Sequence, residues 1–387
     1  MSRAELRIES LAAGGDGVAH LPDGRVVFVP FTAPGDLVRV RLVESRARFA
    51  RARVEELLEG GPARAVPVCQ AFGSCGGCAW QHVDYAAQLE AKRAILRDAI
   101  RRIGGQDVPS LGPVLPSPSE YAYRGRTRVR VEGGSVGYLR RRSHALCAVS
   151  RCPVLVPALD RRLHELAAHP PQPEGEWELA SGSGEVRAAP LGASGAPRIR
   201  LEVGGHRIGV SIGVFAQSNA LMLDTLATRV AERAGRGVLA VELYAGAGLL
   251  TIGLAARFDR VVAVEGDPAA VADLRANLAE AGQGRVEILA ESVERALSEL
   301  ADRRPDALVL DPPRSGLARG SVDALAAVRA ERIVYLSCDP ATLARDLAEL
   351  CARGYALRSV EGIDLFPQTP HVEALATLES SHRPRAC

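Results

Sequence analysis

The sequence predicts an α/β protein whose later part is a doubly wound parallel sheet, preceded by a small β-barrel and a central α+β segment. Three observations carry this. From Val238 to Leu336 short apolar runs alternate with helical patterns, as strands joined by crossover helices do. Residues 1–58 instead break into short alternating runs separated by glycine turns. Between the two lie Cys69, Cys75 and Cys78, with glycines at 76 and 77 that let a backbone fold tightly round a metal.

At 387 residues the chain exceeds one ordinary domain, and divisions at 1–58, 59–214 and 215–387 are expected. Its 47% hydrophobic and 24% charged content is that of a globular protein with real cores. No apolar run reaches the roughly 20 residues of a membrane span. Met1-Ser2-Arg3-Ala4-Glu5 enters an alternating pattern at once, without the apolar core of a signal peptide. A cytoplasmic, monomeric protein is therefore expected. Net charge is only +2, yet seven arginines and one acid, Glu132, lie between Arg124 and Arg142. Such a cluster suits phosphate oxygens or a solvated face. Lys92 is the single lysine in the chain.

In the first segment Leu6-Arg7-Ile8, Arg25–Pro30, Leu37–Val43 and Arg48–Val54 read as strands. Gly14-Gly15-Asp16-Gly17 and Thr32–Asp36 read as turns. Outward Arg39, Arg41, Arg46, Arg48, Arg51 and Arg53 would give the barrel a basic wall facing RNA. In the second segment the three thiols need a fourth ligand. Cys152, on the Arg151-Cys152-Pro153 turn, suits this better than Cys147 in its apolar run. An x5 then x2 spacing with a distant fourth thiol fits iron–sulfur ligation better than the paired CxxC of a zinc ribbon, though zinc stays open. Tyr85–Ile103 is helical, Pro109–Pro118 is a proline-rich link, and Val129, Val131 and Val136 flank a Gly133-Gly134 hairpin turn. Pro170–Pro197, rich in Gly, Pro and Ser, reads as loop. An amide pair, Gln217 and Asn219, precedes a helix running to about Ala234.

Ligands of doubly wound sheets sit at the carboxyl ends of the strands. The first such end is Glu242-Leu243-Tyr244-Ala245-Gly246-Ala247-Gly248. Thr251 replaces the third glycine of the dinucleotide fingerprint, which counts against NAD. Glu265 ends the next strand, 19 residues after Gly246, where a carboxylate can accept both ribose hydroxyls. A glycine turn with that acid and no pyrophosphate signature fits S-adenosylmethionine. Asp311-Pro312-Pro313-Arg314 ends the third strand. Tyr335-Leu336-Ser337-Cys338-Asp339-Pro340 puts a thiol at the exit of a fourth, where a nucleophile could stand. His371 and Glu373 follow, two residues apart, and a carboxylate there could serve as general base.

Together these residues resemble the S-adenosylmethionine-dependent RNA uracil-5 methyltransferases that carry an N-terminal TRAM domain and a [4Fe–4S] cluster. The matching motifs run nearly end to end. They are Cys69-x5-Cys75-Gly-Gly-Cys78, Phe215-x-Gln217-x-Asn219, Glu242-Leu-Tyr-x-Gly-x-Gly248, Asp311-Pro-Pro-Arg314, Ser337-Cys338-Asp-Pro-Ala-Thr-Leu-Ala-Arg345-Asp346 and Asp364-x-Phe-Pro-x-Thr-x-His371-Val-Glu373. The resemblance implies a class I, Rossmann-like catalytic domain in which Cys338 adds to uracil C6 and Glu373 removes the C5 proton. By the same likeness Gln217, Tyr244, Glu265 and Asp311 hold S-adenosylmethionine, and Cys69, Cys75, Cys78 and Cys152 hold the cluster. It implies an RNA substrate, ribosomal ahead of transfer RNA. Asp339 stands where asparagine is common, and Leu249 where some members are polar. Rival readings are methylation of another base atom, or RNA binding without catalysis. Arg314 is not the aromatic residue of amino-methyltransferase loops, and no cysteine follows the prolines as in cytosine-5 enzymes.

Overall fold

The computed structural model describes residues 3–108, 111–193, 195–318 and 320–381. Pro109 at the start of the expected proline-rich link, and Cys387, lie outside them.

Strands β1 (Arg3–Arg7), β2 (Ser10–Leu11), β3 (Gly17–His20), β4 (Val26–Val29), β5 (Leu37–Ser45) and β6 (Phe49–Glu59) form a curled sheet in the order β1-β5-β6-β4-β3-β2. Alternation along β5 turns Val38, Val40 and Leu42 inward onto Ile8, Val27 and Ala50. The outward arginines do not form the bare basic wall expected from sequence. Arg39 pairs with Glu5 and Glu56, Arg41 with Glu55, and Arg46 and Arg51 with Glu44. Except for Arg46, whose Glu44 is two residues away, cross-strand neighbours supply these acids, so those partners become visible only once the strands are in register. Among the described residues Arg48 and Arg53 form no ion pair.

The central segment contributes α1 (Tyr85–Arg102), β7 (Arg126–Glu132), β8 (Ser135–Leu139), β9 (Leu146–Ala148), α2 (Pro157–Ala168), β10 (Gly175–Gly182) and β11 (Glu185–Pro190). Its sheet runs β11-β10-β7-β8-β9. The expectation of loop over Pro170–Pro197 is corrected here, since most of that stretch is the β10–β11 hairpin. Trp177 and Leu179 alternate onto the same core as Val129, Val131, Leu159 and Leu163, and Ser183-Gly184 makes the turn. The glycines and serines sit at its ends and bend, and they masked the alternation. Helix α1 is capped by Asp84, whose carboxylate accepts from Ala87 N at 3.0 Å. Its Leu96 and Ile100 pack with Leu343 and Leu347 of the catalytic part rather than with the central sheet.

Next come β12 (Arg198–Val203), β13 (His206–Ser211) and α3 (Leu223–Ala234). This helix starts later than the amide pair suggested. Asn219 is occupied elsewhere: its Nδ2 donates to Ser117 Oγ and Leu365 O, and its Oδ1 accepts from Leu221 N. The catalytic sheet follows with β14 (Gly237–Leu243), α4 (Thr251–Ala255), β15 (Phe258–Val264), α5 (Pro268–Glu280), β16 (Val286–Leu289), α6 (Val293–Glu299), β17 (Ala307–Leu310), α7 (Ser321–Ala327), β18 (Arg332–Ser337), α8 (Pro340–Ala352), β19 (Tyr355–Ile363) and β20 (Glu373–Ser380). The order is β16-β15-β14-β17-β18-β20-β19, with β14 to β18 parallel. Ala240 and Ala263 face one core with α3 and α5, while Val241, Leu243 and Leu310 face the other with α6 and α8. The sheet is doubly wound, as the alternation predicted. Among the described residues no helix is long and apolar enough to cross a membrane.

Candidate active site

Strand order reverses between β14 and β17, and the crevice at their carboxyl ends is where such folds bind ligands. Leaving β14, Tyr244 takes the left-handed region at φ 63°, and Gly246 follows at φ 56°. A non-glycine residue held there is strained, and such strain collects at functional turns. Glu265, just past β15, accepts from Gly246 N with Oε2 and from Asp267 N with Oε1, both at 2.7 Å. The acid thus locks the glycine turn while keeping lone pairs for a ligand. Asp311, just past β17, lies 3.4 Å from the Gln217 amide, which places Gln217 over the same crevice.

Cys338 stands one residue beyond β18. Asp339 caps α8, accepting from Ala341 N and Thr342 N at 2.9 Å, and Pro340 opens the helix. The cap holds the thiol at the bend between strand and helix. Strand β20 runs antiparallel to β18, with Ser337 opposite Ala374. Glu373, the first residue of β20, therefore lies across from Cys338. It is 1% exposed, and its Oε1 has no hydrogen-bond partner. The five strand-end groups expected from sequence (Tyr244, Glu265, Asp311, Cys338 and Glu373) thus share one edge of one sheet. His371 is exposed where Glu373 is buried, and lies edge-on to Phe366, the ring centroids 6.1 Å apart.

Burial sets the electrostatics. It pushes Asp311 up to about 7 and Glu373 well above the carboxylate range. Cys338 is pushed up to about 11, first by burial and then by the Glu373 charge, with Arg314 opposing. Two residues whose roles the sequence reading did not assign emerge here. Arg314 lies beside both Cys338 and Glu373 and favours their charged forms. Glu242, on β14, is buried with its Oε2 unpartnered, and burial raises it to about 8. Both stand inside quoted motifs, and a single acid within the apolar run Val238–Leu243 was the available signal. An edge rich in buried carboxyls suits a cationic ligand such as a sulfonium.

A cavity of about 520 Å³ is lined by Cys69, Cys75, Cys78 and Cys152, and reaches Arg314. Cys147, by contrast, is buried in the β-sheet core. Gly77 N donates to Cys75 Sγ at 3.4 Å, and a side chain at Gly76 would meet Leu139 O at 3.0 Å. Burial pushes Cys75 up to about 11 and Cys78 to about 12, so bound metal would be needed to strip their protons. Among the described residues no group of three or more such side chains closes round a single ion. Four thiols lining one cavity are a donor set that iron or zinc can take.

The family described as tRNA (Uracil-5-)-methyltransferase matches residues 201–381, and the TRAM domain matches residues 2–54. An RNA methyltransferase of Thermosynechococcus vestitus is 33% identical over 97% of this chain and 98% of its own. A 23S rRNA (uracil(1939)-C(5))-methyltransferase of Halomonas elongata is 33% identical over 97% of this chain and 89% of its own. The fold is similar to that of the Pyrococcus abyssi tRNA (uracil-54, C5)-methyltransferase, solved with S-adenosyl-L-homocysteine. That match has a TM-score of 0.75 at 24% identity and covers 97% of this chain and 100% of that one. Matched along nearly its whole length, the chain belongs to the family of S-adenosylmethionine-dependent RNA uracil-5 methyltransferases.

Proposed function

We propose that this protein methylates C5 of a uridine in structured RNA through a covalent Cys338–uracil adduct, with Glu373 as the base. The observation that carries this is the β18–β20 register, which sets a buried, unpartnered carboxyl opposite a strand-end thiol beside the methyl-donor crevice. Uracil C5 is a weak nucleophile. Attack of the Cys338 thiolate on C6 forms an S–C bond and moves the ring electrons onto O4, making C5 enolate-like. C5 then takes the methyl group, and the sulfonium leaves as neutral S-adenosylhomocysteine. Glu373 removes the C5 proton, the S–C6 bond breaks, and the C5=C6 double bond returns. The donor's sulfonium and the Arg314 guanidinium both favour the ionised forms of Cys338 and Glu373 that these steps need. Gln217, Tyr244, Glu265 and Asp311 hold the donor, and the target base is flipped out of its stack to reach the thiol.

Cys69, Cys75, Cys78 and Cys152 would hold a [4Fe–4S] cluster, and the fit rests on four thiols lining one cavity. Bound there, it would tie the 69–78 loop to the turn at Cys152, both of which pack on the central sheet's core. Ribosomal RNA is the favoured substrate, supported by the name of the Halomonas relative. Mapping 5-methyluridine in total RNA with and without the gene tests this. One 23S site lost on deletion supports the reading, and no lost site refutes it.

A further inference from the structure

The 48 lysines and arginines include one lysine, Lys92. It is fully buried, as is its partner: Lys92 Nζ donates to Asp364 Oδ1 at 2.6 Å, and both side chains are 0% exposed. A second bond runs from Nζ to the Phe366 carbonyl at 3.0 Å, and the Trp80 ring lies 6.0 Å away. Three donors on a compact ammonium suit this pocket. The five donors of a guanidinium would find neither the room nor the acceptors.

Asp364 stands at the mouth of the β19–β20 hairpin. Ile363, its neighbour, is the register partner of Glu373, so the loop 364–372 runs from one side of that pair to the other. Besides its own internal bonds, the loop is held from outside its sheet. Ala79 N and Trp80 N both donate to Gln368 O at 3.0 Å, and Tyr123 Oη donates to Pro367 O at 2.9 Å. Gln88 and Gln368 exchange bonds of 2.8 and 3.0 Å. Helix α1 and the chain after Cys78 thus grip the segment leading into Glu373, and the grip contains one buried ion pair.

We propose that Lys92 is a positioning residue for the reaction: with Asp364 it fixes the hairpin mouth so that the Glu373 carboxylate meets the C5 proton. The inference rests on the reading of Glu373 as base. A buried pair costs desolvation and is weak grounds for a stability role, whereas fixing one geometry is the better-attested use of such a pair. Misplacing a reacting group by about 1 Å costs roughly 100-fold in rate.

The test compares wild type, Lys92→Met and the double variant Lys92→Met/Asp364→Asn on full-length protein. Met alone leaves Asp364 buried without its cation, so it destabilises. The double variant removes both charges and recovers the melting temperature. Its methyl transfer in a single turnover is expected at the wild-type rate. Breakdown of the methylated adduct should slow roughly 10- to 100-fold. Protein–RNA adduct then accumulates on ordinary uridine RNA, with kcat and KM for RNA lowered together and kcat/KM unchanged. Asp364→Asn, in which the amide oxygen still accepts from Nζ and the buried amine can shed its proton, should give the same signature at a lower melting temperature and serves if the double variant does not fold. A folded variant that turns over at the wild-type rate without adduct would overturn the inference. Equal slowing of methyl transfer and breakdown would also overturn it. Wild type that forms no covalent complex with 5-fluorouridine RNA would instead overturn the Cys338–Glu373 reading itself.

Discussion

Glu242 gives the sharpest stability prediction, because the site keeps an acid where folding disfavours one. Burial raises its pKa from 4.5 to about 8, the Thr251 hydroxyl opposing this only in part while the Asp311 and Glu265 charges add to it. Between those two values the folded chain holds a proton that the unfolded chain has released. Stability therefore falls as pH rises from about 4.5 to about 8, and is flat on either side. At pH 7 the gap from 4.5 costs about 3 kcal/mol at 1.36 kcal/mol per unit. Glu242→Gln keeps the shape and the neutral state. It should raise the stability of the catalytic part by about 3 kcal/mol at pH 7, or roughly 6–12 °C in melting midpoint. The two proteins should converge near pH 4.5. Urea unfolding at pH 5, 6, 7 and 8 follows the difference directly. A variant less stable than wild type, or a difference that does not change with pH, would refute the reasoning. The same substitution should weaken S-adenosylmethionine binding, which would explain why the acid persists.

Other consequences are quicker to state. Glu373→Gln should fold normally, transfer the methyl group and then stall as a covalent adduct, since loss of a positioned base costs roughly 100- to 10,000-fold. Gel-shift of the denatured protein reads this, and free turnover in the variant would remove Glu373 from the base role. Protein purified without oxygen should contain about four irons and four sulfides per chain if Cys69, Cys75, Cys78 and Cys152 hold the cluster. Cys152→Ser should lose them while Cys147→Ser keeps them. Zinc alone in the preparation would overturn the assignment.

Local features of the site were legible in the sequence. A buried strand, an Asp cap and a proline at the first helical position placed Cys338 without any tertiary knowledge. The glycine turn and Glu265 were legible for the same reason, being consecutive or nearly so along one βαβ unit. What could not be read was everything set by pairing across the sheet. Glu373 could be read as a candidate base, but its burial could not, because only the insertion of β20 between β18 and β19 encloses it. Arg39, Arg41 and Arg51 looked free because their acids sit on other strands. The β10–β11 hairpin was hidden by the Gly, Pro and Ser at its ends, although Trp177 and Leu179 kept their alternation. Lys92 stood out only as an oddity of composition until its partner, 272 residues away, was placed beside it.

The central claim is that Cys338 forms a bond to the uracil ring, and trapping on RNA carrying 5-fluorouridine tests it most directly. Fluorine takes the place of the C5 proton and cannot be removed as a cation by a base, so the methylated adduct has no route to break down. With S-adenosylmethionine, wild type should give a protein–RNA complex that survives denaturation, and mass spectrometry of the digested complex should place the bond at Cys338. Cys338→Ala should give none. A stable complex in the alanine variant, or none in the wild type, would contradict the account.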